Sequence, residues 1–173
     1  MSFETPEHKR LRLLGEAYEK FVVEQWPLVY FCGFDGIMEL HRKIGKQAQY
    51  QGETDEGVEI KLDQKIYEYF ASGRVYIETH EKADKSNSEY VLSGINRNDN
   101  SIYYLIGNYD EWWIFYKEVL RKIDRTRQII KPFWIYEPKP TGTSKGFCIN
   151  VQYAHHYCED YRRVVGAKRN FIT

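Results

Sequence analysis

Two stretches decide the fold class: Gly57-Val58-Glu59-Ile60-Lys61-Leu62-Asp63 and, beyond a short spacer, Arg74-Val75-Tyr76-Ile77-Glu78-Thr79-His80. In the first, Val58, Ile60 and Leu62 alternate with Glu59, Lys61 and Asp63. In the second, Val75, Ile77 and Thr79 alternate with Tyr76, Glu78 and His80. A strict two-residue period is the mark of a strand with one apolar and one polar face. Between them, Ile66, Tyr69 and Phe70 read as one or two helical turns or a wide turn, closed by Ser72-Gly73.

Upstream, Leu11, Leu14, Tyr18, Phe21 and Val22 recur at three- and four-residue steps, which predicts a helix over 11–26 that Pro27 stops. Leu28–Phe34 reads as a short strand, and Asp35–Tyr50 as ambiguous, with a helical Ile37, Leu40, Ile44 pattern interrupted by Gly45. Gly52–Gly57 is a polar loop. Downstream, Glu81–Glu89 is a polar loop, and the continuous apolar run Ser101–Ile106 predicts a central strand covered on both faces. Trp112–Tyr116 is a further strand whose aromatics are mostly core. Lys117–Ile130 is a helix, Pro132, Pro138 and Pro140 mark an irregular connection, Gly146–Gln152 is a last strand and Ala154–Val165 a C-terminal helix. This order predicts one α/β domain over residues 1–173, with a mixed central β-sheet flanked by helices.

Composition narrows the function classes. The 173 residues are 42% apolar, enough for a core and too apolar and aromatic for a disordered chain. No run of eighteen apolar residues exists to span a membrane, and the polar N-terminus is unlike a secretory signal. Three cysteines, Cys32, Cys148 and Cys158, give no disulfide framework and point to a reducing compartment such as the cytoplasm. Cys148, His155, His156 and Cys158 match no paired zinc-ligand spacing. Twenty-five basic residues balance twenty-five acidic ones, but unevenly: 52–81 holds eight acids against three bases, and 117–173 twelve bases against five acids. An acidic centre beside a basic third suits a divalent cation held next to a polyanion.

The chemistry centres on the second stretch. Residues two apart on a strand share a face, so Glu78 and His80 are expected to point the same way, and Asp63 approaches Glu78 if the two strands pair. Two adjacent carboxylates repel unless a cation sits between them. Mg²⁺ takes one or two carboxylates and keeps several waters, and such an ion activates water and stabilises phosphoryl charge.

Asp63 followed by Val75-Tyr76-Ile77-Glu78-Thr79-His80 resembles the core of the PD-(D/E)xK, or restriction-endonuclease-like, nuclease superfamily, in its phage and Holliday-junction-resolvase-like branch. Gly15-Glu16-Ala17-Tyr18-Glu19 is similar to the helical Gly-xxx-Glu of those members. Ser93-Gly94-Ile95 with Tyr103-Tyr104-Leu105-Ile106 resembles the strand after the active hairpin, and Thr143-Ser144-Lys145-Gly146-Phe147 a Ser-basic-Gly segment near the C-terminus. The resemblance covers roughly residues 11–150. It implies a restriction-endonuclease-like fold, a DNA endonuclease using Mg²⁺ or Mn²⁺, and action as a homodimer. Asp63 and Glu78 would be metal ligands, with Glu19 an outer or second ligand. The family lysine is replaced by His80, which donates to phosphate or accepts a proton near neutral pH; Lys82 or Lys65 lies near enough in sequence to take the part. Leu62 stands where the family has proline. A literal Glu-x-Lys at Glu59-Ile60-Lys61 is set aside as the main motif, because no acid precedes it on a strand at suitable distance.

Lys117, Arg121 and Arg125 are four apart on one helix face, joined by Lys122 and Arg127, and form the best phosphate-binding stripe, with Lys145 added from the Ser-basic-Gly segment and Arg162, Arg163, Lys168 and Arg169 as extensions. The competing reading is a DNA- or protein-binding module that keeps a nuclease-like fold without cutting, motivated by the histidine at the lysine position.

Overall fold

The computed structural model describes residues 5–25, 57–68, 70–82, 85–99, 101–127 and 142–164. The expected strand at 28–34, the ambiguous 35–50 stretch, Cys32, the loop at 52–56, the proline-marked connection at 132–140 and the basic Lys168 and Arg169 lie outside these residues.

The fold is mixed α/β, in layers. Helix α1 (Pro6–Gln25) begins earlier than the apolar period suggests. The Thr5 hydroxyl accepts the His8 N–H at 3.3 Å, Pro6 opens the first turn and Glu7 sits beside the positive end of the helix dipole. Tyr18 and Val22 bury fully against one face of a four-stranded sheet, onto Val58, Ile60, Leu105, Trp112 and Ile114.

That sheet has the order β1 (Gly57–Leu62), β4 (Ser101–Gly107), β5 (Glu111–Tyr116), β7 (Asp160–Arg163). β1 and β4 are parallel and the other neighbours antiparallel. β4 is the central strand its apolar run predicts: Tyr103 and Leu105 meet α1, while Tyr104 and Ile106 meet the second core. A tight Asx turn joins β4 to β5, with Asn108 Oδ1 accepting the N–H groups of Asp110 and Glu111 at 2.9 and 3.0 Å.

The second core is shared with a three-stranded antiparallel sheet, β3 (Val91–Leu92), β2 (Arg74–Glu81), β6 (Ser144–Asn150). Val75, Ile77, Phe147 and Ile149 pack with Tyr104, Ile106, Trp113 and Phe115 under α2 (Lys117–Arg127). The expected pairing of the two opening strands does not occur: β1 and β2 belong to different sheets. β2 instead passes over the end of β1 and over β4, and two of its backbone N–H groups find side-chain acceptors there. Tyr76 donates to Asp63 Oδ2 at 2.9 Å, and Glu78 to the Tyr104 hydroxyl at 3.4 Å.

The C-terminal expectation fails in part. β6 ends at Asn150, whose side chain accepts the Tyr153 N–H and caps α3 (Val151–Tyr157). The helix expected over 154–165 stops at Cys158, and the chain becomes β7. The open edge of β5 outcompetes further helix: Glu159 donates to the Ile114 carbonyl and Val164 to that of Asp110, each at 2.7 Å. Glu111, buried at the start of β5, accepts the hydroxyls of Tyr161 (2.6 Å) and Tyr67, fastening β7 and the turn after β1 to one carboxylate. No helix among the described residues is long and apolar enough to cross a membrane.

Candidate functional site

The site forms where β2 crosses the end of β1. Alternation along β1 sends Val58 and Ile60 under α1, so Glu59, Lys61 and Asp63 face the other way, toward β2. Lys61 Nζ lies 3.3 Å from Glu78 Oε1 and 3.2 Å from Glu59 Oε1. Asp63 ends the strand. Its Oδ1 accepts the Lys65 N–H and its Oδ2 the Tyr76 N–H, each at 2.9 Å.

Glu78 is the best-held carboxylate. Ser93 Oγ donates to Oε1 at 2.7 Å and Ser144 Oγ to Oε2 at 3.0 Å, and Ser144 shares a 2.9 Å hydrogen bond with the Tyr76 hydroxyl. Both serines come from the short segments singled out in the sequence, and both glycines that follow explain the close approach. Gly94 adopts φ +53°, and a Cβ there would stand 2.1 Å from the Glu78 carbonyl oxygen; a Cβ on Gly146 would stand 2.1 Å from that of Ile77. Burial pushes the Glu78 carboxyl up, but the Lys61 ammonium and the two hydroxyls outweigh it and hold the group below its ordinary value. For Asp63, burial wins over the two N–H donors and raises it. Burial alone would lower the Lys61 ammonium, yet Glu78 and Glu59 together raise it, so Lys61 stays protonated.

Two cavities open on this cluster. The larger, about 620 Å³, lies against α1 and is walled by Arg12, Glu16, Glu19, Glu81 and Arg97. The smaller, about 340 Å³, is reached past Arg74 and Tyr76. Lys61, Asp63 and Glu78 line both.

Asp63, Glu78 and Glu19 therefore converge on one cavity, although by strand crossing rather than pairing. His80 does not join them. The ladder between β2 and β6 slips by one residue between Glu78 and His80, leaving Thr79 as a bulge. A bulge reverses the alternation beyond it. Glu81 thereby lines the larger cavity with Glu78, while His80 lies opposite Leu92 and Lys145 with its Nδ1 2.9 Å from the Thr79 hydroxyl. The lysine beside Glu78 is Lys61, from the Glu-x-Lys the sequence reading set aside. Its signal was present in the β1 alternation, which already placed Glu59, Lys61 and Asp63 on one face. Lys82 is turned to the carbonyls of Lys85 and Asn87, and Lys65 lines both cavities at their rim.

The phosphate stripe also changes. Lys117 is fully buried, 2.9 Å from Glu59 Oε2 and 3.3 Å from Asp99 Oδ1, and reaches no phosphate. Arg121 and Arg125 both pair with Glu118 on the surface of α2, where Lys122 is exposed. Lys145 is exposed with its Nζ 4.1 Å from the centre of the Tyr90 ring, which Lys82 also approaches at 4.9 Å.

Among the described residues, no group of three or more His, Cys, Asp or Glu side chains stands close enough to cage a metal ion. The donors fit only a hard, water-rich cation that needs one or two carboxylates. Asp63 meets that need: it is partly desolvated, and each of its oxygens is hydrogen-bonded to one backbone N–H, leaving a lone pair on each.

Comparison with family models, with curated proteins and with solved structures gives no match for this chain. The fold and the site together define a mixed α/β protein with an open, carboxylate- and lysine-lined cleft.

Proposed function

We propose that this chain is a metal-dependent DNA endonuclease that hydrolyses phosphodiester bonds. One observation carries the reading: Asp63, Glu78 and Lys61 line one open cleft, with Lys61 Nζ 3.3 Å from Glu78. Carboxylates can hold a cation that activates water, and a lysine can stabilise charge on a phosphoryl group, which is the combination the resemblance implies.

Asp63 would be the principal ligand for Mg²⁺ or Mn²⁺, and Glu78, which lines the same cavity, a second; Glu19, also in that lining, would act from farther out. When bound, the cation supplies charge stabilisation at the phosphoryl oxygens and a more acidic water. Lys61, kept protonated by its two carboxylates, is a charge donor to a non-bridging oxygen rather than a proton acceptor. Glu78 orients Lys61, and the Ser93 and Ser144 hydroxyls fix Glu78. Arg12 and Arg97 stand on the cleft wall where flanking phosphates would run. Lys122, Arg121, Arg125 and Lys145 would add sequence-blind, salt-sensitive contacts farther out.

The test is incubation with supercoiled, linear and branched DNA in Mg²⁺, Mn²⁺ or EDTA, beside Asp63→Ala. Metal-dependent cutting that disappears in the variant is expected. Full cutting by Asp63→Ala overturns the assignment. DNA that is retarded but never cut leaves the binding-module reading instead.

A further inference from the structure

The smaller cavity differs in character from the cleft it adjoins. Its floor is the buried ring of Tyr104 with Ile106, its side wall is Tyr76 and Cys148, and its mouth carries Lys61, Lys65 and Arg74. Tyr76 and Cys148 are direct partners across β2 and β6, so they form one continuous surface. Among the described residues, the acids in the lining are Asp63 and Glu78, two that also face the cleft. The pocket is thus aromatic and apolar inside, cationic at the entrance, and joined to the candidate active site by a shared wall.

We infer that this cavity receives a single nucleotide unit of the substrate strand, base inward against the half-buried Tyr76 ring above the buried Tyr104 and Ile106, with its phosphate at the Lys61, Lys65 and Arg74 entrance. At about 340 Å³ it sits near the lower end of small-molecule sites, which run from ~300 to ~1,000 Å³. That is room for one nucleotide and far too little for a base pair with its backbone. Aromatic faces accept any base, because every base has a π-face, and cations at the mouth meet the one charged group a nucleotide carries. A base can enter only from a single strand, a flap, or a position flipped out of the duplex. The inference rests on the nuclease reading for its biological sense and names its substrate class: DNA with an unpaired nucleotide beside the cut.

Binding is tested without catalysis, by equilibrium dialysis of labelled deoxynucleoside monophosphates in EDTA against wild type, Arg74→Gln and Cys148→Phe, which fills the pocket. In parallel, alkylation of Cys148 is followed by peptide mass spectrometry. At a nucleotide concentration about ten times Kd, Cys148 labelling is expected to slow about tenfold. Inorganic phosphate alone and the uncharged nucleoside should each protect far less. Arg74→Gln, checked for unchanged thermal melting, should bind at least about tenfold more weakly, as loss of a charge-assisted contact does. Equal protection by inorganic phosphate means an anion site only and overturns the inference, as does unprotected Cys148 or binding that Arg74→Gln leaves intact. Should Cys148→Phe fail to fold, Arg74→Gln and the labelling decide. Cutting of DNA with no nucleotide binding would sink this inference and leave the nuclease; nucleotide binding with no metal-dependent cutting would do the reverse.

Discussion

Lys61 and Lys117 make the same kind of contact and live in opposite surroundings. Both ammonium groups touch Glu59, one on each of its oxygens, and each has a second carboxylate, Glu78 for Lys61 and Asp99 for Lys117. The Lys117 side chain has no exposure, and the Ser101 hydroxyl completes its shell. The Lys61 side chain is 28% exposed and lines two cavities. A sealed pair of this sort ties α2 to β1 and to the loop before β4, and its ammonium is out of a ligand's reach. An open one keeps a protonated lysine and a carboxylate within reach of a ligand. Accessibility, more than residue type, separates the sealed cluster from the open one.

The largest effect should come from the sealed side. Lys117→Met leaves Glu59 and Asp99 buried with a partner missing, which costs about 3–5 kcal/mol by the precedent of broken buried pairs. Urea denaturation would register it as a lower midpoint with an unchanged slope. A loss under ~1 kcal/mol would mean that water reaches this cluster and that the contrast is false. Next is Lys61→Ala. Removing a preorganised charge from a transition state costs about 10²–10³ in rate, or about 2.7–4 kcal/mol. Cleavage should fall by that factor while stability moves much less than in Lys117→Met, because water can enter from either cavity and solvate Glu78.

Acid titration sharpens the contrast further. Glu78 lies below its ordinary value in the folded chain, chiefly because Lys61 and the two hydroxyls overcome burial. An acid whose folded value is lowered adds stability above its unfolded value, about 4.3, and that stability is lost as pH falls through the folded value. Asp63 has the opposite sign: burial raises it, so its ionisation opposes folding as pH rises through its unfolded value, about 3.9. Glu78→Gln should therefore flatten the acid limb of a stability-against-pH curve by at most one proton, about 1.4 kcal/mol per pH unit. An unchanged acid limb would show that Glu78 is not held by Lys61 in solution.

Much of this arrangement was legible in the sequence, and what was not has definite causes. Alternation placed β1 and β2, the apolar run placed β4 at the centre, and the Ser-Gly pairs at 93–94 and 144–146 marked segments that do close on Glu78. Strand pairing was not legible, because a period of two gives the faces of a strand but not its neighbours. β7 was hidden for a related reason. Tyr161 and its flanking residues suit a helix as well as a strand, and the edge of β5 with the Glu111 carboxylate decides between them. Lys117 fell at helical spacing with Arg121 and Arg125, but its position at the first turn of α2 points it into the seam with β1.

The smallest expected effect discriminates most sharply between the sequence pattern and the folded site. Taken by period alone, Glu78-x-His80 puts the histidine beside the acid; the bulge at Thr79 sends it to the β3 and β6 side, with Glu81 in its place. His80→Ala should then leave cleavage within about twofold and stability within ~0.5 kcal/mol, as for ordinary surface positions. Lys61→Ala in the same assay should lose two to three orders of magnitude. The two substitutions remove similar chemistry from strands of two different sheets, so the comparison isolates geometry. If instead His80→Ala abolishes cutting and Lys61→Ala is tolerated, the ladder between β2 and β6 must run without its slip in the active protein. That alternative register carries its own signature: His80 would leave the Thr79 hydroxyl, and its imidazole resonances would shift on addition of Mg²⁺.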